Sequence, residues 1–206
     1  MCFSATVSFA ASGALAVAGG ASLKLAKKHE RLIALVPLLF AIQQAIEGAQ
    51  WLVPHSGVLG QIFGYAYLIF AFLLWPIYVP IIVYRHETEK HHKKFLRWFV
   101  VFGAIVTFGF FIALFVFPLE IFVKGNLIYN LLATPALALV GTILYSLAIV
   151  GPLLVSSERS FKLFGVLVFV AELAAWNIFL LGFVSVWCFF AAALSGCILL
   201  WFYLRR

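Results

Sequence analysis

Apolar residues fill most of this chain in long continuous stretches, and short polar intervals interrupt them at nearly regular spacing. Seven apolar runs stand out, at residues 5–23, 32–53, 62–84, 98–117, 135–155, 163–181 and 184–203. Each has the length of about 20 residues that a helix needs to cross the hydrocarbon core of a bilayer. The runs are continuous rather than alternating, which excludes a closed barrel. Backbone groups in lipid must be satisfied within the span, so helices are the remaining choice. The pattern predicts an all-α membrane fold with seven transmembrane helices in a single domain over residues 1–206. Pro76 and Pro80 lie inside the third run and predict a kinked or tilted helix there. The one long interval on the outer side is 118–134. Within it, Leu119 to Tyr129 alternates around Gly125-Asn126, which fits a short hairpin capping the outer face and equally fits an irregular loop.

Composition supports the same class. Hydrophobic residues make up 66% of the chain and charged residues 10%, against roughly 25% charged in soluble domains. No stretch reads as a soluble module beside the membrane part. The net charge of +7 would suit nucleic acid, but the basic residues form no single surface. They fall in short clusters between the apolar runs, so nucleic acid is rejected as a partner and the lipid bilayer is the expected one.

The clusters also orient the chain. With the N-terminus outside, the inner loops and tail hold Lys24, Lys27, Lys28, Arg31, Arg85, Lys90, Lys93, Lys94, Arg97, Arg159, Lys162, Arg205 and Arg206. The outer side holds Lys124 alone of the 14 Lys and Arg residues. This asymmetry predicts an external N-terminus and a cytoplasmic C-terminus. Tyr84, Trp98, Trp201 and Tyr203 fall near the inner boundary, and Trp51 and Trp187 near the outer one. The first run has basic residues after it and none before it, the reverse of a cleaved signal peptide, so it is expected to remain as the first span.

Two spans carry the same polar signature. Glu47-Gly-Ala-Gln-Trp51 in the second matches Glu172-Leu-Ala-Ala-Trp176 in the sixth, at an offset that also pairs Ala49 with Ala174, Gly57 with Gly182 and Ala66 with Ala191. Both carboxylates sit in spans running from inside to outside. A parallel three-plus-one-plus-three repeat would place them about one pseudo-axis, as parallel repeats do in some transporters. The plan resembles, in architecture only, those of sugar-efflux and PQ-loop carriers and of opsin-like proteins. Their Pro-Gln dipeptide and retinal-binding lysine are absent. Chance sharing of Glu and Trp by independent spans is the competing reading.

An ionisable group inside a span costs a few kcal/mol on insertion scales and so tends to face the protein interior. Glu47 and Glu172 are the two acids within the predicted spans. Gln43, Glu47 and Gln50 follow one another at helical spacing on one face, with Gln44 and Trp51 beside it. The sixth span contributes Glu172, Trp176 and Asn177. The expectation is a polar pocket in the outer half of the membrane, lined by these residues with Trp51 and Trp176 as walls. Such a pocket would carry a proton, hold a cation or bind an amine. The bland alternative makes each Glu interhelical glue.

Cys2, Cys188 and His55 form a second, weaker constellation near the predicted outer mouth. A disulfide between the cysteines or a soft metal such as copper, or zinc, would suit them, although no metal-ligand spacing is present. Cys197, in the inner half, reads as a packing residue. The His-rich stretch Arg85 to Lys94 reads as a solvated inner loop, with metal or anionic lipid heads as its other uses. Hydrolase, zinc-protease, P-loop and dinucleotide motifs are all absent from the sequence, and no histidine lies in a predicted span, so an enzyme is disfavoured.

The opening Met-Cys-Phe-Ser-Ala-Thr, the stretch Val36 to Gln44 followed by Glu47-Gly48 and Trp51, and Ser185 to Ala192 carry a resemblance. They resemble an uncharacterised family of bacterial multi-pass membrane proteins whose members begin Met-Cys-Phe-Ser-Ala. The resemblance implies a protein of the bacterial inner (plasma) membrane and no particular activity. Its signature residues would all approach the outer half of the bilayer. Three functions follow in order of preference: a small-ligand or ion binder acting as transporter or sensor, an intramembrane enzyme or metal-redox protein using Cys2, Cys188 and Glu47, and a structural or assembly factor.

Overall fold

The computed structural model describes residues 4–178 and 182–205. Among these residues, seven helical segments are long and apolar enough to cross a membrane: Ala5–Leu25, Lys28–Gln50, Val58–His86, Lys90–Val116, Pro135–Val155, Arg159–Ile178 and Phe183–Leu204. The all-α membrane class and its seven spans therefore stand.

The first span is α1, Ala5–Leu25, opened by Ser4, whose hydroxyl accepts a hydrogen bond from the Val7 amide at 3.3 Å. After a 3-10 turn at Lys28–Glu30, closed by the Lys27 amide donating to Glu30 at 2.9 Å, α2 covers Arg31–Gln50. It stops short of the expected end at 53 because Pro54 disfavours helical backbone in the residue before it, and the Gly57 amide turns back to the Pro54 carbonyl at 3.1 Å. The third span comprises α3, Val58–Leu68, a π-helical stretch at Ile69–Leu74, and α4, Trp75–His86. The fourth is α5, Lys90–Val116, which begins well before the predicted 98. Its first two turns are basic and lie outside the apolar run that hydropathy detects. Two short strands follow, β1 at Leu119–Val123 and β2 at Leu127–Leu131, paired as a hairpin. Of the two readings of this interval, the hairpin is the one found. Gly125 at its turn has φ +78, the left-handed region that glycine enters without cost. The remaining spans are α6, Pro135–Val155, α7, Arg159–Ile178, and the pair α8, Phe183–Ser195, and α9, Cys197–Leu204, broken at the Ser195-Gly196 pair. The predicted end of the sixth span, 179–181, lies outside the described residues.

The chain divides into two compact units, which do not follow the halves of the repeat expected from Glu47 and Glu172. Unit one holds residues 1–67, 121–129 and 173–206. Its helices α1 and α2 run antiparallel in close contact. Gly19 leaves room for Leu38, Gly48 receives the ring of Phe9, and the Ser12 hydroxyl donates to the Ala41 carbonyl at 2.8 Å. Small residues let helix backbones approach in this way where lipid supplies no hydrophobic drive. Helices α8 and α9 pack against both.

Unit two holds residues 68–120 and 130–172, with α4, α5 and α6 packed on one another. Val83, Leu96 and Leu153 form a buried core there, surrounded by Phe99, Phe161 and Phe164. The two prolines of the third span act here through the hydrogen bonds they cannot make. In π spacing the Ala71 carbonyl would pair with residue 76, but Pro76 has no N–H. The Tyr145 hydroxyl donates to that carbonyl instead, and Thr107 donates to the Leu73 carbonyl at 3.3 Å. Pro80 likewise leaves the Pro76 carbonyl free, and Gly103 of α5 lies so close to it that a Cβ would collide with the oxygen. Tyr145 and Thr107 of neighbouring helices thus satisfy carbonyls that lipid could not.

Candidate functional site

The polar stripe of α2 lies inside unit one. Gln43, Gln44, Glu47 and Gln50 are all fully buried. The spacing puts Gln43, Glu47 and Gln50 on one face, and α8 supplies what Gln43 and Glu47 meet. Ser185 and Cys188 stand one turn apart on α8 and share a face. The Ser185 hydroxyl donates to Oε1 of Glu47. The Cys188 thiol is within reach of the Gln43 amide and of the Tyr67 side chain from α3. Trp187 and Phe183 stack beside this face at 5.4 Å between ring centres.

Both amide atoms of Gln44 are buried with no hydrogen-bond partner among the described residues, as are Oε1 of Gln50 and the indole nitrogen of Trp51. Gln50 spends its other amide atom on His55, whose Nδ1 accepts from Nε2 at 3.2 Å. A buried amide left unsatisfied costs about 1–3 kcal/mol per group.

The other sequence-predicted residues are distributed as follows. Glu172 belongs to unit two, where it is buried and accepts from the Ser146 hydroxyl of α6 at 2.7 Å. Trp176, in unit one, meets Phe183 edge-on at 5.3 Å. Asn177 is exposed and donates to the Leu173 carbonyl of its own helix at 2.7 Å. Of the metal constellation, Cys188 joins the stripe, His55 meets Gln50, and Cys2 lies outside the described residues. Among the described residues no three His, Cys, Asp or Glu side chains gather as a metal-holding group.

Several participants were missed in the sequence. Tyr67 carried no signal except a hydroxyl in an apolar run, and Ser185 stood only as the start of the Ser185 to Ala192 stretch of the family resemblance. Glu87 was hidden in the His-rich stretch, which is not wholly solvated. Its side chain is 2% exposed. It accepts from the Thr88 and Glu89 amides at 3.0 Å, from the Ser156 hydroxyl at 3.0 Å, and from both the amide (2.7 Å) and the hydroxyl of Ser157. Burial pushes the Glu87 carboxyl up, but the bonds from Ser157, Glu89 and Ser156 outweigh it and bring the pKa from 4.5 down to about 2. Lys93 donates to the Glu87 carbonyl at 3.1 Å, and His92 contacts the Val155 carbonyl. This is a clamp between two connecting segments of unit two.

The chain belongs to the family of unknown function DUF6629, whose model matches residues 1–206. No curated protein and no solved structure matches it.

Proposed function

We propose that this member of the DUF6629 family binds a small ligand or ion at the polar stripe of unit one, as a transporter or sensor of the bacterial plasma membrane. Glu47 is the charge-bearing or proton-bearing group. Ser185 orients its carboxyl, and Gln43, Gln44 and Gln50 supply amide donors and acceptors around it. The N-terminus faces outward and the basic loops face the cytoplasm, which puts the Gln50–Trp51 end of α2 at the external side.

The observation that carries this reading is Gln44. Its amide is fully buried, with neither end bonded among the described residues, one turn from a carboxyl in the same helix. A residue that served only to fill space would be apolar at this position, because an orphaned amide in a membrane span weakens the fold. An amide beside an acid suits a hydrated monovalent cation, whose waters both donate and accept, or a protonated small amine, whose N–H groups donate to the carboxyl and to the amide oxygen.

The test uses purified full-length protein and proteoliposomes. Alkali cations, protons and small primary amines are scanned for binding by thermal shift and for flux. At least one class is expected to raise the melting temperature of the wild type, and Glu47→Gln is expected to abolish that shift while the protein still folds. The opposing result is a Gln44→Leu protein that is more stable than the wild type, with no class of probe shifting either. Gln44 and Glu47 would then be relics of packing rather than a site.

A further inference from the structure

The four polar residues of the stripe are sealed from solvent, so a guest enters only if part of unit one moves. Helices α1 and α2 of unit one interlock at Gly19, which faces Leu38, and at Gly48, which faces Phe9. The hairpin is different. It is a two-stranded sheet with no third strand, and such a pair has marginal stability of its own. Its buried residues Leu119, Ile121, Leu127 and Ile128 seat it, and two further contacts pin it.

The first is the turn. Asn126 is 5% exposed although it stands at a hairpin tip, and its amide donates to the Leu127 carbonyl at 3.1 Å. Its amide fills the space beside Gly182, where any Cβ would overlap it. Gly182 is the residue from which α8 starts, the helix that carries Ser185 and Cys188. The second is Tyr129, whose ring lies parallel to that of Tyr67, with centres 4.4 Å apart and an interplanar angle of 6°. Tyr67 is fully buried and reaches Cys188, which in turn meets Gln43. Leu127 and Ile128 are buried between these two points.

We propose that the β1–β2 hairpin is the lid of the stripe, latched by Asn126 in the notch at Gly182 and by the Tyr129–Tyr67 stack. What the lid encloses rests on the function proposed above; that it opens does not. Release of the turn withdraws Tyr129 from Tyr67 and exposes the path to Cys188 and Gln43. Glycine at 182 is required because it makes room for the Asn126 amide.

Cys188 reports on the lid without any knowledge of the ligand. In full-length protein carrying Cys2→Ser and Cys197→Ser, the rate at which N-ethylmaleimide modifies Cys188 at fixed pH measures opening. Asn126→Ala and Gly182→Ala each remove the turn latch, and loss of one such contact is expected to raise the open population, and hence the rate, about tenfold. The melting temperature should change little. If Gly182→Ala does not fold, Asn126→Ala, which only removes side-chain atoms, carries the test. An unchanged rate in the folded variants overturns the lid, as does an acceleration matched by a general loss of stability. Faster labelling with no probe bound would leave the lid standing and remove the ligand. A bound probe with unchanged labelling would do the reverse.

Discussion

Glu87 and Glu47 are both buried carboxylates, yet they do opposite work. Glu87 takes five donors from its own segment and from the Ser156-Ser157 turn, and its depressed pKa follows from them. Stabilisation from such a group is complete above its unfolded value, here 4.5, and is lost as pH falls toward about 2. Glu87→Gln should therefore lower the melting temperature in detergent at neutral pH by about 5 °C, and should flatten the fall in stability that the wild type shows between those two pH values. A variant with an unchanged acid limb would show that the donors contribute nothing. Glu47 accepts from the Ser185 hydroxyl of another helix, and one turn away in its own helix lies the Gln44 amide, buried with no hydrogen-bond partner among the described residues.

At the scale of the element, the third span shows how a sequence liability becomes a joint between helices. Pro76 leaves the Ala71 carbonyl without its π partner, and the Tyr145 hydroxyl answers it. Tyr145→Phe should cost about 1–2 kcal/mol in thermal unfolding. In a Pro76→Ala background, where the backbone can supply its own N–H, the same substitution should cost much less. Additive losses in that double-mutant cycle would count against the compensation. The sequence announced the disturbance through Pro76 and Pro80, but could not name Tyr145 or Gly103, which come from other helices. The hairpin was legible as one of two readings because Gly125-Asn126 sits amid alternating residues. The burial of its tip was not, because the space at Gly182 comes from a segment far along the chain. Glu87 was illegible for the same reason. In sequence it is an acid among lysines and histidines, and its burial depends on serines 69 and 70 positions later.

For the whole molecule, apolar run length sufficed to count the spans, because a bilayer imposes one length scale on every helix that crosses it. It did not suffice to place their ends, which basic turns and Pro54 decide. Orientation rests on the basic residues, and it can be checked directly. Reporter fusions at the C-terminus should read cytoplasmic, and a fusion within 118–134 external. Replacing Lys24, Lys27, Lys28 and Arg31 by Gln should yield a mixed population. An external C-terminus in the wild type would reverse the assignment. The clamp at Glu87 has a practical corollary for anyone choosing where to interrupt this chain. Connecting segments between spans are the usual places for an epitope tag or a split point, but 87–89 and 156–157 are bound to each other as tightly as an interior. Tags placed there should scar the protein.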